Sequence, residues 1–200
     1  MDRLTTPVTP LFGEALRFAS DLHAEQARKK TEIPYVSHLM SVSALVLEAG
    51  GSETAAIGAL LHDAAEDQGG ETTLAQIREA FGDTVEEIVR HCSDDIVEEG
   101  DEKRPWRERK EQYIARLADT DASHDALLVS LADKLHNCTA IVNDVTYDGA
   151  HVWGRFNASP ADIVWYYESI VAVAEAKLGA ARITKLLGGA VRQLKALPTA

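Results

Sequence analysis

Apolar and polar residues alternate with a helical period along almost the whole chain. Over residues 11–29, Phe12, Ala15, Leu16, Ala19 and Leu22 recur at helical spacing with Glu14, Arg17 and Asp21 between them, which predicts an amphipathic helix. Its basic end, Arg28 to Lys30, suits the negative pole of a helix C-terminus, and Pro34 then turns the residue before it away from helical geometry. A second helix is expected over 37–49, with Leu39, Val42, Leu45 and Val46 inward and Gly50-Gly51 as its stop. Ser52 is an N-cap for a third helix over 53–66, closed by Gly69-Gly70. Thr72 or Thr73 caps a short helix through Phe81, and Val85, Ile88 and Val89 mark another over 85–91. Residues 93–105 form an irregular stretch rich in acidic side chains, of the kind that is often functional in a compact domain. Helical patterning resumes over 106–117 and 126–142, followed by a loop over 147–158. Ser159-Pro160-Ala161-Asp162 then combines a serine cap, a first-turn proline and an early acid, and opens a helix running to about residue 178. A last helix is expected over 181–196. The pattern contains no repeat, low-complexity tract or linker. It predicts an all-α fold of roughly eight to ten helices in a single domain over residues 1–200, with a core of about 11–178.

Some polar residues break this pattern where apolar ones belong. The run Ala59-Leu60-Leu61-His62-Asp63-Ala64-Ala65-Glu66-Asp67 drives an apolar helix straight into a histidine and three carboxylates. His38 opens the second helix, and Asp133 interrupts Leu127 to Leu135, with His136 and Asn137 behind it. Buried ionisable groups are costly unless they are paired, hydrogen-bonded or metal-bound. Taken singly, each has a plain structural explanation: His38 as a helix-start residue, Asp133 as the partner of Lys134 or a neighbouring arginine. Taken together, His38, His62, Asp63 and Asp133 form a two-histidine, two-carboxylate set from three helices. Such mixed nitrogen and oxygen donors suit one divalent ion such as Mn²⁺, Fe²⁺ or Zn²⁺.

Composition narrows the setting. A formal net charge of −12 argues against nucleic-acid binding but leaves room for a small anionic substrate held by local cations. Arg28-Lys29-Lys30 and the Lys103 to Lys110 cluster could serve, or could be solvated helix ends. No apolar run approaches the roughly 18 residues of a membrane span, and residues 1–12 lack a secretory pattern. Cys92 and Cys138 have no ligand-like spacing, which suggests buried thiols in a reducing compartment and hence the cytoplasm. The oligomeric state is left open.

His38, then His62-Asp63, then Asp133 resembles the HD superfamily of metal-dependent phosphohydrolases. The finer pattern is similar to the hydrolase domain of RelA/SpoT-type enzymes and to single-domain small alarmone hydrolases, including the Mesh type of animals. It is carried by His23-Ala24-Glu25-Gln26-Ala27-Arg28-Lys29, Ile33-Pro34-Tyr35-Val36-Ser37-His38, Leu61-His62-Asp63-Ala64-Ala65-Glu66-Asp67 and Leu131-Ala132-Asp133-Lys134-Leu135-His136-Asn137. The four motifs occur in family order, so chance agreement is remote. The resemblance implies a compact HD-domain bundle and one Mn²⁺ held by His38, His62, Asp63 and Asp133. Glu66 and Asp67 would position and activate the attacking water. Arg28 and Lys29 would hold phosphates or the base, and Lys134 and Asn137 would line a ribose-phosphate pocket. Tyr166 is similar to a family tyrosine that touches the nucleotide, though it equally fits an aromatic core stripe with Val164 and Tyr167.

The implied activity is removal of the 3′-pyrophosphate from (p)ppGpp, the alarmone of the stringent response. A phosphatase acting on NADPH or another phosphorylated nucleotide is the alternative within the same chemistry. A non-catalytic nucleotide-binding module is a second alternative, against which the intact Glu66-Asp67 pair speaks. No synthetase-like segment follows the motifs, so the chain is expected to degrade rather than make the alarmone. Departures from the family, Cys92-Ser93-Asp94-Asp95 and Trp153-Gly154-Arg155-Phe156-Asn157 among them, bear on the substrate more than on the metal.

Overall fold

The structure is a computed structural model, and it describes residues 8–93, 104–119 and 123–199. Among these residues the regular elements are helical: ten α-helices, one short 3₁₀ helix, and a single isolated β-bridge between Ala27 and Pro34. No helix is long and apolar enough to cross a membrane among the described residues. The chain divides into two compact units, residues 1–103 with 122–130 and residues 104–121 with 131–200.

The first unit contains α1 (Pro10–Leu22), α2 (Val36–Glu48), α3 (Glu53–Leu61), α4 (Ala64–Asp67), α5 (Gly70–Phe81) and α6 (Asp83–Cys92). Its centre is α3, where every residue from Ala55 to Leu61 is buried. A helix that is apolar all round belongs inside a core rather than at its edge. Helices α1, α2 and α6 surround it. The small residues of α3 let these neighbours come close, and a Cβ at Gly58 would lie 2.6 Å from Ile88 Cγ2. Leu39, Ile57, Leu60, Leu61, Leu74, Ile77, Val85 and Val89 fill the same core. Ser52 caps α3 by accepting from the Ala55 amide at 3.0 Å, as its position in the sequence predicts. Glu86, buried on α6, is held by Arg78 at 2.9 Å and Arg90 at 2.8 Å.

The second unit contains α7 (Trp106–Ala118), the larger part of α8 (His124–Asp148), a 3₁₀ helix (Ala150–Arg155), α9 (Pro160–Leu178) and α10 (Arg182–Lys195). α9 packs against α7 and α10. Ser159 caps α9 through the Asp162 amide at 3.1 Å. Ile183, Leu187, Val191 and Leu194 form the buried face of α10. The Trp153 indole donates to the Pro198 carbonyl at 2.9 Å.

Several boundaries differ from the sequence expectation. The helix expected over 11–29 ends at Leu22, so Arg28 to Lys30 lie in a loop instead of at a helix C-terminus. The reason is that His23 turns its ring inward, where it is buried and stacked on Tyr35. The helix expected over 53–66 breaks at His62 and Asp63, and resumes as α4. α5 starts at Gly70 behind Gly69, whose φ of 108° only glycine takes easily, while Thr73 bonds back to the Gln68 carbonyl instead of capping. The loop over 147–158 contains the 3₁₀ helix, tied to α8 by Arg155 through Asp144 at 2.8 Å. Most of the irregular stretch over 93–105 lies outside the described residues. Both cysteines are buried, and burial pushes the Cys138 thiol up to about 12.

Gly58→Val is expected to lower stability by about 2–3 kcal/mol, because the added methyls must displace Ile88 in a packed interior. Urea unfolding followed by circular dichroism measures it.

Candidate active site

Because α3 is buried along its length, its C-terminal end also lies inside the unit, where its last carbonyls need donors. His62 supplies one. Its Nδ1–H donates to the Ala59 carbonyl at 2.8 Å. That bond places the proton on Nδ1 and leaves Nε2 as the ring's electron-pair donor. The chain then turns at Asp63, whose Oδ2 lies 2.9 Å from His62 Nε2. His38, fully buried in the first turn of α2, brings its own Nε2 to 3.5 Å from that oxygen. The Tyr35 hydroxyl, just ahead of α2, donates to the same Oδ2 at 2.6 Å. The His38 and His62 rings meet edge to face at 5.2 Å.

Two imidazole nitrogens facing one carboxylate oxygen inside a protein make a donor set that fits a cation. Ligand atoms at right angles around an ion, with bonds of ~2.1 Å, sit ~3.0 Å apart, close to the spacings observed here. The tautomer held by Ala59 and the Tyr35 hydroxyl on Asp63 are supports of the kind that orient metal ligands.

Glu66 and Asp67 follow on α4, and the Asp67 amide donates to the Asp63 carbonyl at 3.0 Å. The Asp67 side chain reaches solvent on one side and accepts from Gln26 Nε2 at 2.7 Å. Partial desolvation, and next the charge of Asp63, raise its pKa above the usual aspartate value. The Gln26 hydrogen bond opposes this rise, Glu66 adds to it, and His23 pulls against it.

Arg28 and Lys29 lie in the loop between α1 and α2. The Arg28 amide donates to the Ile33 carbonyl at 2.8 Å, and the Tyr35 amide to the Gln26 carbonyl at 2.9 Å, which pins the loop at its base. The Arg28 guanidinium sits 5.8 Å from the centre of the Tyr35 ring, while Lys29 is exposed. The loop therefore joins a cation to the tyrosine that holds Asp63.

The remaining expected residues belong to the second unit. Asp133 is buried on α8 and pairs with Lys134 Nζ at 2.5 Å, while Asn137, one turn on, donates to its other oxygen. Burial disfavours the Lys134 charge, but Asp133, then Tyr113 and Tyr166, raise its pKa well above the usual lysine value. Its Nζ stands 4.6 Å from the Tyr113 ring centre. Tyr166 is buried on α9 among Trp106, Tyr113 and Tyr167, with Lys110 Nζ 5.0 Å from its ring. It thus has the aromatic surroundings of a core residue together with a cation at its face.

Sequence reasoning did not assign roles to Tyr35 and Gln26, although both stand in the motifs it quoted. For Tyr35 the available signal was an amphipathic side chain just ahead of a helix that carries a candidate ligand, whereas Gln26 lies in the loop before it and gave no such signal.

The HD domain family profile matches residues 15–164. Guanosine-3′,5′-bis(diphosphate) 3′-pyrophosphohydrolase MESH1 of Xenopus tropicalis is 38% identical over 130 residues, covering 64% of this chain and 67% of the relative. The Homo sapiens protein of that name is 32% identical over 185 residues, covering 91% of this chain and 87% of its own. A solved structure described as a metazoan ortholog of SpoT that hydrolyzes ppGpp aligns with a TM-score of 0.70 at 28% identity. That alignment covers 94% of this chain and 97% of the other.

In the metal-free protein, Lys134→Met is expected to cost about 3 kcal/mol, because it withdraws the cation paired with buried Asp133. The shift in the urea midpoint relative to wild type measures the loss.

Proposed function

Because the chain belongs to the HD domain family, we propose that it is a metal-dependent 3′-pyrophosphohydrolase that converts (p)ppGpp to GDP or GTP and pyrophosphate. The observation that carries this reading is the meeting of His38 Nε2, His62 Nε2 and Asp63 Oδ2, one turn ahead of Glu66 and Asp67. On the order of the motifs, Asp133 is assigned as the fourth ligand of one Mn²⁺. The same donors also suit Fe²⁺ and Zn²⁺. The two buried cysteines agree with a cytoplasmic enzyme.

When bound, the cation lowers the pKa of water and polarises a phosphoryl oxygen. This chain's own residues do the rest. The Ala59 carbonyl keeps the His62 proton on Nδ1, and Tyr35 orients the Asp63 carboxylate. Glu66 and Asp67 orient a water and accept its proton as its oxygen bonds to the phosphorus attached at O3′. The bond between that phosphorus and O3′ breaks, O3′ takes up a proton, and pyrophosphate leaves. Arg28 and Lys29 hold phosphates or the guanine face, where a planar guanidinium suits both tasks. Lys134 and Asn137 line the ribose and its phosphates, and Tyr166 packs against the nucleotide.

Purified protein with Mn²⁺ is expected to release pyrophosphate and GDP from ppGpp, and NADPH offered alongside serves as the rival substrate. Inorganic phosphate from NADPH, with ppGpp left intact, overturns the substrate assignment. Asp63→Ala and Glu66→Ala are each expected to lower kcat by about 10³-fold or more while the fold is kept. Folded variants with wild-type turnover refute the catalytic roles.

Tyr35→Phe removes one hydrogen bond from Asp63 and is expected to weaken Mn²⁺ binding by about 10-fold. Calorimetric titration of the metal-free protein tests it.

A further inference from the structure

Gln26 stands at the centre of a small amide network on the outer side of α4. Its Oε1 meets His23 Nδ1 at 2.6 Å and accepts from Gln68 Nε2 at 2.7 Å, while its Nε2 donates to Asp67 Oδ2 at 2.7 Å. With two donors on the carbonyl end, the amide has one orientation, NH₂ toward Asp67. His23 is itself held: its ring is buried and stacked on Tyr35 at 5.2 Å. Its Nε2 has no hydrogen-bond partner among the described residues, which suits a ring that carries a proton on Nδ1 and donates it to Gln26 Oε1.

This arrangement rests on the proposed hydrolase reading and extends it. We propose that Gln26, oriented by His23 and Gln68, is the positioning residue that holds the Asp67 carboxylate in its water-activating pose. Tyr35 joins the two halves of the site: it orients Asp63 through its hydroxyl and seats His23 against its ring. A side chain 41 positions before Asp67 thereby sets the rotamer of a carboxylate on a four-residue helix, which is too short to hold it by itself.

A packing role for Gln26 and this role predict opposite orders of damage. Gln26 and Gln68 also line an open cavity of about 580 Å³, with Asp21 and Glu25 in its wall. When the side chain is truncated, water from that cavity can replace the lost donor. Gln26→Glu keeps the size and shape but sets a carboxylate against Asp67, and water cannot remove that charge.

Steady-state kinetics of ppGpp hydrolysis at saturating Mn²⁺ test the proposal. Gln26→Ala is expected to lower kcat about 10-fold and Gln26→Glu about 100-fold, each with KM changed less than about threefold. His23→Asn, whose amide can donate from the position of Nδ1, is expected to stay within about threefold of wild type. His23→Leu should follow Gln26→Ala. Independently of turnover, ¹⁵N NMR of the metal-free protein is expected to show His23 protonated on Nδ1. Gln26→Glu less damaging than Gln26→Ala, a loss confined to KM, or a wild-type His23 protonated on Nε2 alone overturns this role while leaving the hydrolase reading in place. A wild-type protein that turns over no phosphorylated nucleotide overturns both.

Discussion

Desolvation at the end of α3 is the constraint on which the first unit turns. A helix buried on every side delivers its C-terminus, and whatever follows, into the interior. Here that is a histidine and an aspartate. His62 is buried and Asp63 half-buried, and a carboxylate drawn partly out of water is costly unless it is hydrogen-bonded or paired. The Ala59 carbonyl accepts the His62 proton and the Tyr35 hydroxyl donates to Asp63, while the two imidazole nitrogens bring electron pairs toward the same carboxylate oxygen. The same groups leave electron pairs aimed at one place, which is what a divalent cation requires.

Support for the site is layered. Ala59 holds His62, Tyr35 holds Asp63, and His23 packs on Tyr35 while engaging Gln26, which reaches Asp67. Pre-organisation of this kind keeps catalytic groups from reorganising when charge develops on the substrate. In the second unit a different solution serves Asp133: a lysine next to it in the chain, held over an aromatic ring, with an asparagine one turn on.

Much of this was legible from the chain. The 3.6-residue period located the helices, and Ser52 and Ser159 stand as caps where their residue types and neighbours predict. His38, His62 and Asp133 stood out because they interrupt apolar faces, and all three are buried. The family was readable because its motifs are short, ordered and rich in ionisable residues. The ends of α1 and α3 were not readable. Helical patterning runs on past Leu22 and past Leu61, but the chain leaves the helix where a histidine makes a contact that a continuing helix could not.

By itself, then, the sequence determined the helical architecture, the buried polar positions and the type of chemistry they suit, since these follow from periodicity, burial cost and donor type. Only the tertiary structure decided which partners hold those groups. Tyr35 lies 28 residues from Asp63 and Gln26 lies 41 from Asp67, and no local rule links such positions. They meet because α1, α2 and α6 all pack on one small-residue helix, whose close approach brings the loop after α1 and the start of α2 to the end of α3. The run from Leu61 to Asp67 is therefore two helices and a turn, and the turn between them carries His62 and Asp63.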